Sequence, residues 1–281
     1  MLPVALALAS AALFGAMTVA LRLALLRFPG AALGAVATVL SALAVALVAA
    51  GVEATRGDIH LEGAWVFVLA GLLAPGGSQI LFTLAVRDAG ASRTSVAVGA
   101  APLVSVAIAL AVLDEPTVAG LIVGALLIVA GGFALALDPR RPEHLRRIGL
   151  LYAVAATVLF ATRDNLVRSL SDGDVPPSTA MATTLLVGLA AALLFARAVP
   201  SKDRVLAFAP AGLCFGLSYI FLFEAFYHGR VSVVAPLVAT ESLFGVAFSI
   251  LLLRRTELVG PRLVLGALLI FAGGVLIGIS R

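Results

Sequence analysis

Apolar residues run along this chain in blocks of about twenty, and most of the charges, prolines and glycine pairs gather between the blocks. A helix that crosses a hydrocarbon layer needs about 20 mostly apolar residues at ~1.5 Å each. Backbone groups in lipid must be satisfied within the segment, so long apolar runs read as helices joined at the interfaces. The pattern predicts ten spans, near 2–26, 31–51, 63–86, 92–112, 117–137, 148–169, 178–196, 205–227, 232–253 and 260–279. The connectors carry the breaking signals: Phe28-Pro-Gly, Arg87-Asp-Ala-Gly, Asp114-Glu-Pro, the stretch 138–147, Ser171 to Pro177, and Arg254-Arg-Thr-Glu. The seventh span is the shortest and is flanked by Pro176-Pro177 and Pro200. Met1-Leu-Pro-Val has no basic lead-in and no clear small-residue cleavage site follows, so the first block is expected to be a retained span.

The blocks repeat. Gly-Ala-Leu-Leu-Ile-Val-Ala-Gly-Gly at 124–132 returns as Gly-Ala-Leu-Leu-Ile-Phe-Ala-Gly-Gly at 266–274, a spacing of 142, and a Glu stands nine residues before each, Glu115 and Glu257. Leu13-Phe14-Gly15 with Arg22 returns as Leu159-Phe160-Ala161 with Arg168, a spacing of 146. The chain therefore divides into a first five-helix unit over 1–137, an Arg-rich linker over 138–147 and a second five-helix unit over 148–281. An odd number of spans per copy sets the two copies in opposite orientation, an architecture of secondary transporters with a site between the halves.

On these residues the chain resembles the EamA domain of the drug/metabolite transporter superfamily, present twice. The resemblance is carried by Leu13-Phe14-Gly15 with a basic residue seven on, Ala85-Val-Arg-Asp-Ala-Gly-Ala-Ser, Ala101-Pro-Leu, and Asp114-Glu-Pro leading into the glycine-rich repeat. It implies an all-α integral membrane protein of ten helices that exports or exchanges small metabolites. The second copy departs from the pattern, with Arg254-Arg255 in place of the usual Gly-Glu approach and Glu241 near the family's Pro.

Composition narrows the function further. The 281 residues are 62% apolar and 12% charged, with a mean hydropathy of +1.15, which excludes a water-soluble enzyme. Ten spans leave no room for an extramembrane domain. Eighteen of the nineteen basic residues are Arg, most of them single or paired at the ends of apolar runs, which suits anchoring and not a nucleic-acid surface. The single Cys214 excludes an internal disulfide. No Walker-type glycine loop, G-x-S-x-G elbow or H-E-x-x-H sequence is present. No cofactor is expected, and His228, with no His or Cys beside it, is no metal ligand.

A charge at mid-bilayer costs about 2.5–3.5 kcal/mol on insertion scales, so polar residues inside spans point to the bundle interior and to function. The candidate substrate-binding residues are Thr18, Gln79, Arg163, Asn165, Tyr219, Phe223, Glu224 and Glu241. Arg163, Asp164 and Asn165 lie in span six. Asp164 is expected to pair with Arg168 four residues on, leaving Arg163 and Asn165 to face a cavity. Glu224 in span eight and Glu241 in span nine are expected to border that cavity, with Arg163 within ion-pairing reach of at least one. Two Glu and one Arg cannot pair off, which opens a route to proton coupling. In the first copy Met17 and Thr18, then Ser78, Gln79 and Thr83 after the Pro75-Gly-Gly break, form a less charged wall. Tyr219, Phe223, Phe226 and Tyr227 make an aromatic stripe beside Glu224. Gly120 with Gly124 and Gly212 with Gly216 are read as close-packing positions.

The sequence thus predicts a secondary transporter of a small polar metabolite, amino-acid-like or cationic, working by alternating access. It is expected in the cell membrane as a multi-pass protein, embedded in the lipid bilayer, as a monomer or weak dimer. Two alternatives stand beside it: a flippase for a lipid-linked sugar, and a membrane-embedded enzyme using Asp164, Glu224 or Glu241. Thirteen basic residues fall in the odd-numbered connectors. Four, Arg56, Arg168, Arg230 and Arg281, fall at the termini and even-numbered connectors. Basic loops stay in the cytoplasm, so the count places both termini outside, whereas the family resemblance implies cytoplasmic termini.

Overall fold

The computed structural model describes residues 2–55, 63–112, 118–137, 146–170, 175–228, 234, 237–253 and 258–280; among these, the side chains at 105, 106, 109–112, 136, 168–170 and 226 are not described. Glu115, Glu257 and most of the Arg-rich linker lie outside the described residues.

All ten expected spans are represented. Span one is α1 (Leu2–Arg27) and span two α2 (Ala31–Ala54), separated where Phe28-Pro-Gly ends the first helix. Span three is broken: α3 (Trp65–Gly71) leads through a π-helical turn over Leu72–Gly77 into α4 (Ser78–Ala89), and Ala74 leaves helical geometry just before Pro75. Proline cannot donate to the preceding turn, which is why the break falls there. Gly90, at a φ of 89°, turns the chain into span four. That span is also two helices, α5 (Ala91–Val98) and α6 (Ala101–Val112), parted at Gly99-Ala100, which corrects the continuous helix expected over 92–112. Next come α7 (Ala119–Ala136), α8 (Ile148–Leu170), α9 (Pro177–Ala196) and α10 (Lys202–His228). The short seventh span is a regular helix with Pro177 at its first turn and a left-handed Arg197 at its end. In span nine the described chain turns at Ala239-Thr240 before α11 (Glu241–Leu252), and span ten is α12 (Pro261–Ile279). Seven of these segments are long and apolar enough to cross a membrane.

The repeats are inverted, and the residues that reveal them in the sequence are those that touch. A Cβ on Gly124 would lie 2.8 Å from the Gly273 carbonyl oxygen, and one on Gly131 would lie 2.7 Å from that of Gly266. The contact numbers rise on α7 as they fall on α12, so the two copies of the glycine-rich stretch pack antiparallel on each other. The other glycine pair, Gly212 and Gly216, lets α10 approach Ser41, Ala42 and Val45 on α2, again through positions a Cβ would fill. At the centre Phe14, Phe82, Phe160 and Phe215, from α1, α4, α8 and α10, meet edge to face at 5.5–6.5 Å. Leu151, Val154 and Val158 on α8, or Leu126 and Phe133 on α7, are exposed on the outer surface, as a lipid-facing side requires.

Candidate functional site

Three helices, α8, α10 and α11, bring Arg163, Asp164, Tyr219 and Glu241 together. Arg163 is buried on α8. Its Nη1 donates to the Tyr219 hydroxyl on α10, its Nε lies 2.6 Å from Asp164 Oδ1 in a close ion pair without hydrogen-bond geometry, and its guanidinium sits 5.0 Å above the Tyr219 ring. Tyr219 in turn packs on Phe215 at 4.6 Å and on Phe223 at 6.0 Å. Glu241 opens α11 and interacts electrostatically with Asp164 and with Tyr219, yet makes no ion pair or hydrogen bond among the described residues. The depth of this layer is fixed by a serine clasp. Ser10 on α1 and Ser218 on α10 each donate to the other's carbonyl oxygen at 2.9 Å, while Gly15 on α1 packs against Phe244 and Gly245, one turn past Glu241.

Asp164 lies seven and eleven residues after Thr157 and Ala153, so all three share one face of α8. Thr157 and Ala153 are buried, but the Asp164 side chain is 48% exposed. The face of α8 that is buried at Ala153 and Thr157 is thus open at Asp164. Two carboxylates, one of them unpartnered, therefore share this region with a single guanidinium and a wall of aromatic rings.

The remaining candidates divide. Thr18 and Asn165 bond back to the carbonyls of Phe14 and Ala161, at 3.0 and 2.8 Å, which leaves Thr18 buried and Asn165 half-buried. Gln79 is fully buried, and among the described residues neither its Nε2 nor its Oε1 has a partner. Phe223 is buried and stacks towards Phe67 at 6.4 Å, so the Tyr219–Phe223 part of the stripe is interior; the Phe226 side chain is outside the described residues. Two expectations need correction. Arg163 pairs with neither Glu224 nor Glu241; its partners are Asp164 and Tyr219. Asp164 therefore pairs with its own neighbour, and the Arg168 side chain lies outside the described residues. Glu224 is not in the central layer. It contacts His228 at 3.3 Å and lines a cavity of about 250 Å³ with Ala49, Val52, Glu53, Pro177, Ser178 and Ile220, where Ser178 donates to Glu53.

A family model, the EamA-like transporter family, matches residues 1–137 and 147–279. The chain belongs to the EamA-like transporter family. Fourteen solved chains match it in fold. One, described only as "Crystal structure of protein", gives a TM-score of 0.66 at 17% identity, covering 98% of this chain and 94% of its own. No curated protein matches. This EamA-like chain is thus a multi-pass transporter-family protein of two inverted five-helix repeats. Sequence reasoning missed Ser10, Ser218, Glu53 and Ser178 in it. Small hydroxyls in apolar runs give no signal until their partners are known, and Glu53 falls past the end of the second expected span, 31–51. Arg22, by contrast, is explained by structure: it donates to the carbonyls of Val86 and Arg87 at the end of α4, where a cation complements the helix terminus.

Proposed function

We propose that this chain is a secondary transporter that exports or exchanges a small metabolite bearing a positively charged amine, amino-acid-like or simply cationic, by alternating access between its two repeats. The observation that carries the reading is the pair Asp164 and Glu241 beside one guanidinium, where the buried face of α8 opens. Arg163 is already engaged by Asp164 and Tyr219, so Glu241 is the charge left for a cargo to neutralise, and the aromatic rings around Arg163 offer faces that attract cations. Glu241 takes a proton when the amine leaves and releases it when the amine returns, which couples transport to a proton moving the other way. The units 1–137 and 148–281, joined by the linker 138–147, rock about the site in the plasma membrane, as a monomer or weak dimer. The Glu53–Ser178–Glu224 cavity is the mouth of the path on the side that carries the ends of α2 and α10 and the start of α9.

The test is efflux from liposomes loaded with a uniformly ¹³C-labelled bacterial metabolite extract, read by mass spectrometry. The wild-type chain is expected to release amines faster at a higher external proton concentration. Glu241→Gln keeps the shape, removes ionisation, and is expected to insert normally while losing that pH dependence and most of the flux. Unchanged flux and unchanged pH response in Glu241→Gln would falsify the coupling role.

A further inference from the structure

Gln79 is sealed from solvent, with both ends of its amide unpartnered. Packing on either side fixes where it stands. Phe82, one turn further along α4, meets Phe14 at 5.5 Å and Phe160 at 6.2 Å, so the face of α4 that carries residues 79 and 82 looks towards α1 and α8. Gly77 packs near Leu159 and Ala89 against Gly149, so α4 and α8 run antiparallel. One turn back from Phe82 is therefore the same direction as one turn forward from Phe160, and that step arrives at Arg163. Gln79 and Arg163 thus lie to the same side of the Phe82–Phe160 contact, each about one turn from its ring, on facing helices.

A buried amide that gives up its water for no partner destabilises the conformation that holds it. Packing alone gives no reason for it, since Leu or Met fills similar space without the loss. Nor does the preceding kink require it, because Pro75 and Gly76 fit against Gly188 and Ala191 on α9.

From this we infer that Gln79 is the residue by which the site chooses among amines, by hydrogen-bonding a neutral group of the cargo. A carboxamide donates through Nε2 and accepts through Oε1. A carboxylate only accepts and an ammonium only donates, so either leaves one end of Gln79 orphaned. A hydroxyl or a carboxamide does both. The substrate class is an amine that also carries a hydroxyl or carboxamide. Because the amide is sealed in this conformation, the contact forms in another conformation of the cycle. The inference rests on the transport reading above.

Two variants test it in the full chain, Gln79→Met and Gln79→Leu. In detergent each is expected to melt at or above the wild-type temperature, because an orphaned amide is exchanged for apolar packing; a lower melting temperature in both means that the amide holds the fold, and overturns the inference. In the ¹³C-extract efflux assay the variants are expected to lose hydroxyl- and carboxamide-bearing amines about tenfold or more relative to plain amines, the worth of one hydrogen bond. Unaltered proportions, or all amines falling together, overturn the inference alone. If the wild-type chain releases no amine, the transport reading falls and takes this inference with it.

Discussion

Arg163 holds its place through two neighbours of different kinds, and each can be removed separately. Tyr219→Phe deletes one hydrogen bond to a buried guanidinium and keeps the ring beneath it. The expected loss is about 1.5–3 kcal/mol, read as a lower melting temperature in detergent. Arg163→Ala removes the ion pair, the hydrogen bond and the ring contact together, and is expected to lower the melting temperature further; equal shifts for the two would mean that the tyrosine hydroxyl carries the whole interaction. Membrane depth made Arg163 and Glu241 legible in the sequence, since apolar flanks leave an interior position as the reasonable one. Direction was less legible. The four-residue spacing favours Arg168 as the partner of Asp164, whereas adjacent side chains leave the axis about 100° apart; the long guanidinium of Arg163 reaches round that angle. Glu224 lies at a plausible depth, yet five residues from Tyr219 is about 140° of turn, and it faces the cavity at Glu53 and Ser178 instead of the centre.

At the scale of elements, the α7–α12 seam makes a sharp prediction from two adjacent glycines. A Cβ at Gly131 would press on the Gly266 carbonyl oxygen at 2.7 Å, whereas one at Gly132 meets nothing within 4 Å. Gly131→Ala is expected to lower thermal stability by about 1–3 kcal/mol, the usual scale of overpacking. Gly132→Ala is expected to be neutral or slightly stabilising, as Ala favours helix. Comparable melting temperatures for the two would show that the helices separate freely there. The seam was legible because the same nine-residue stretch occurs twice. The breaks in spans four and nine were not, although Pro102 opens α6 two residues in and Pro236 precedes α11. A proline disfavours helical backbone in the residue before it, and inside an otherwise apolar run that signal is outweighed by hydropathy.

For the whole molecule, the charge count and the family resemblance give opposite orientations, and one label separates them. With Cys214→Ala as background, Arg141→Cys is expected to stay unmodified by an impermeant thiol reagent in intact cells and to react after the cells are opened, which places the linker in the cytoplasm and both termini outside. Labelling in intact cells reverses the assignment. The inverted-repeat architecture could be read from the sequence because duplication leaves matching words at a fixed spacing. The site could be read only in part because divergence has erased the match where chemistry resides. At the repeat spacings, Met17 and Thr18 stand where the second copy has Arg163 and Asp164, and Gly99 stands where it has Glu241. A scaffold of two like halves thus carries its ionisable cluster in one of them. Under the alternating access proposed above, exchanging the roles of the halves would not exchange the charges, so the two faces would present cargo with unlike surroundings and unlike apparent affinities. Such a lopsided carrier would still obey detailed balance: the inequality would alter how quickly each face saturates, while the gradients of cargo and, on the proposed coupling, of protons would decide which way net flow runs.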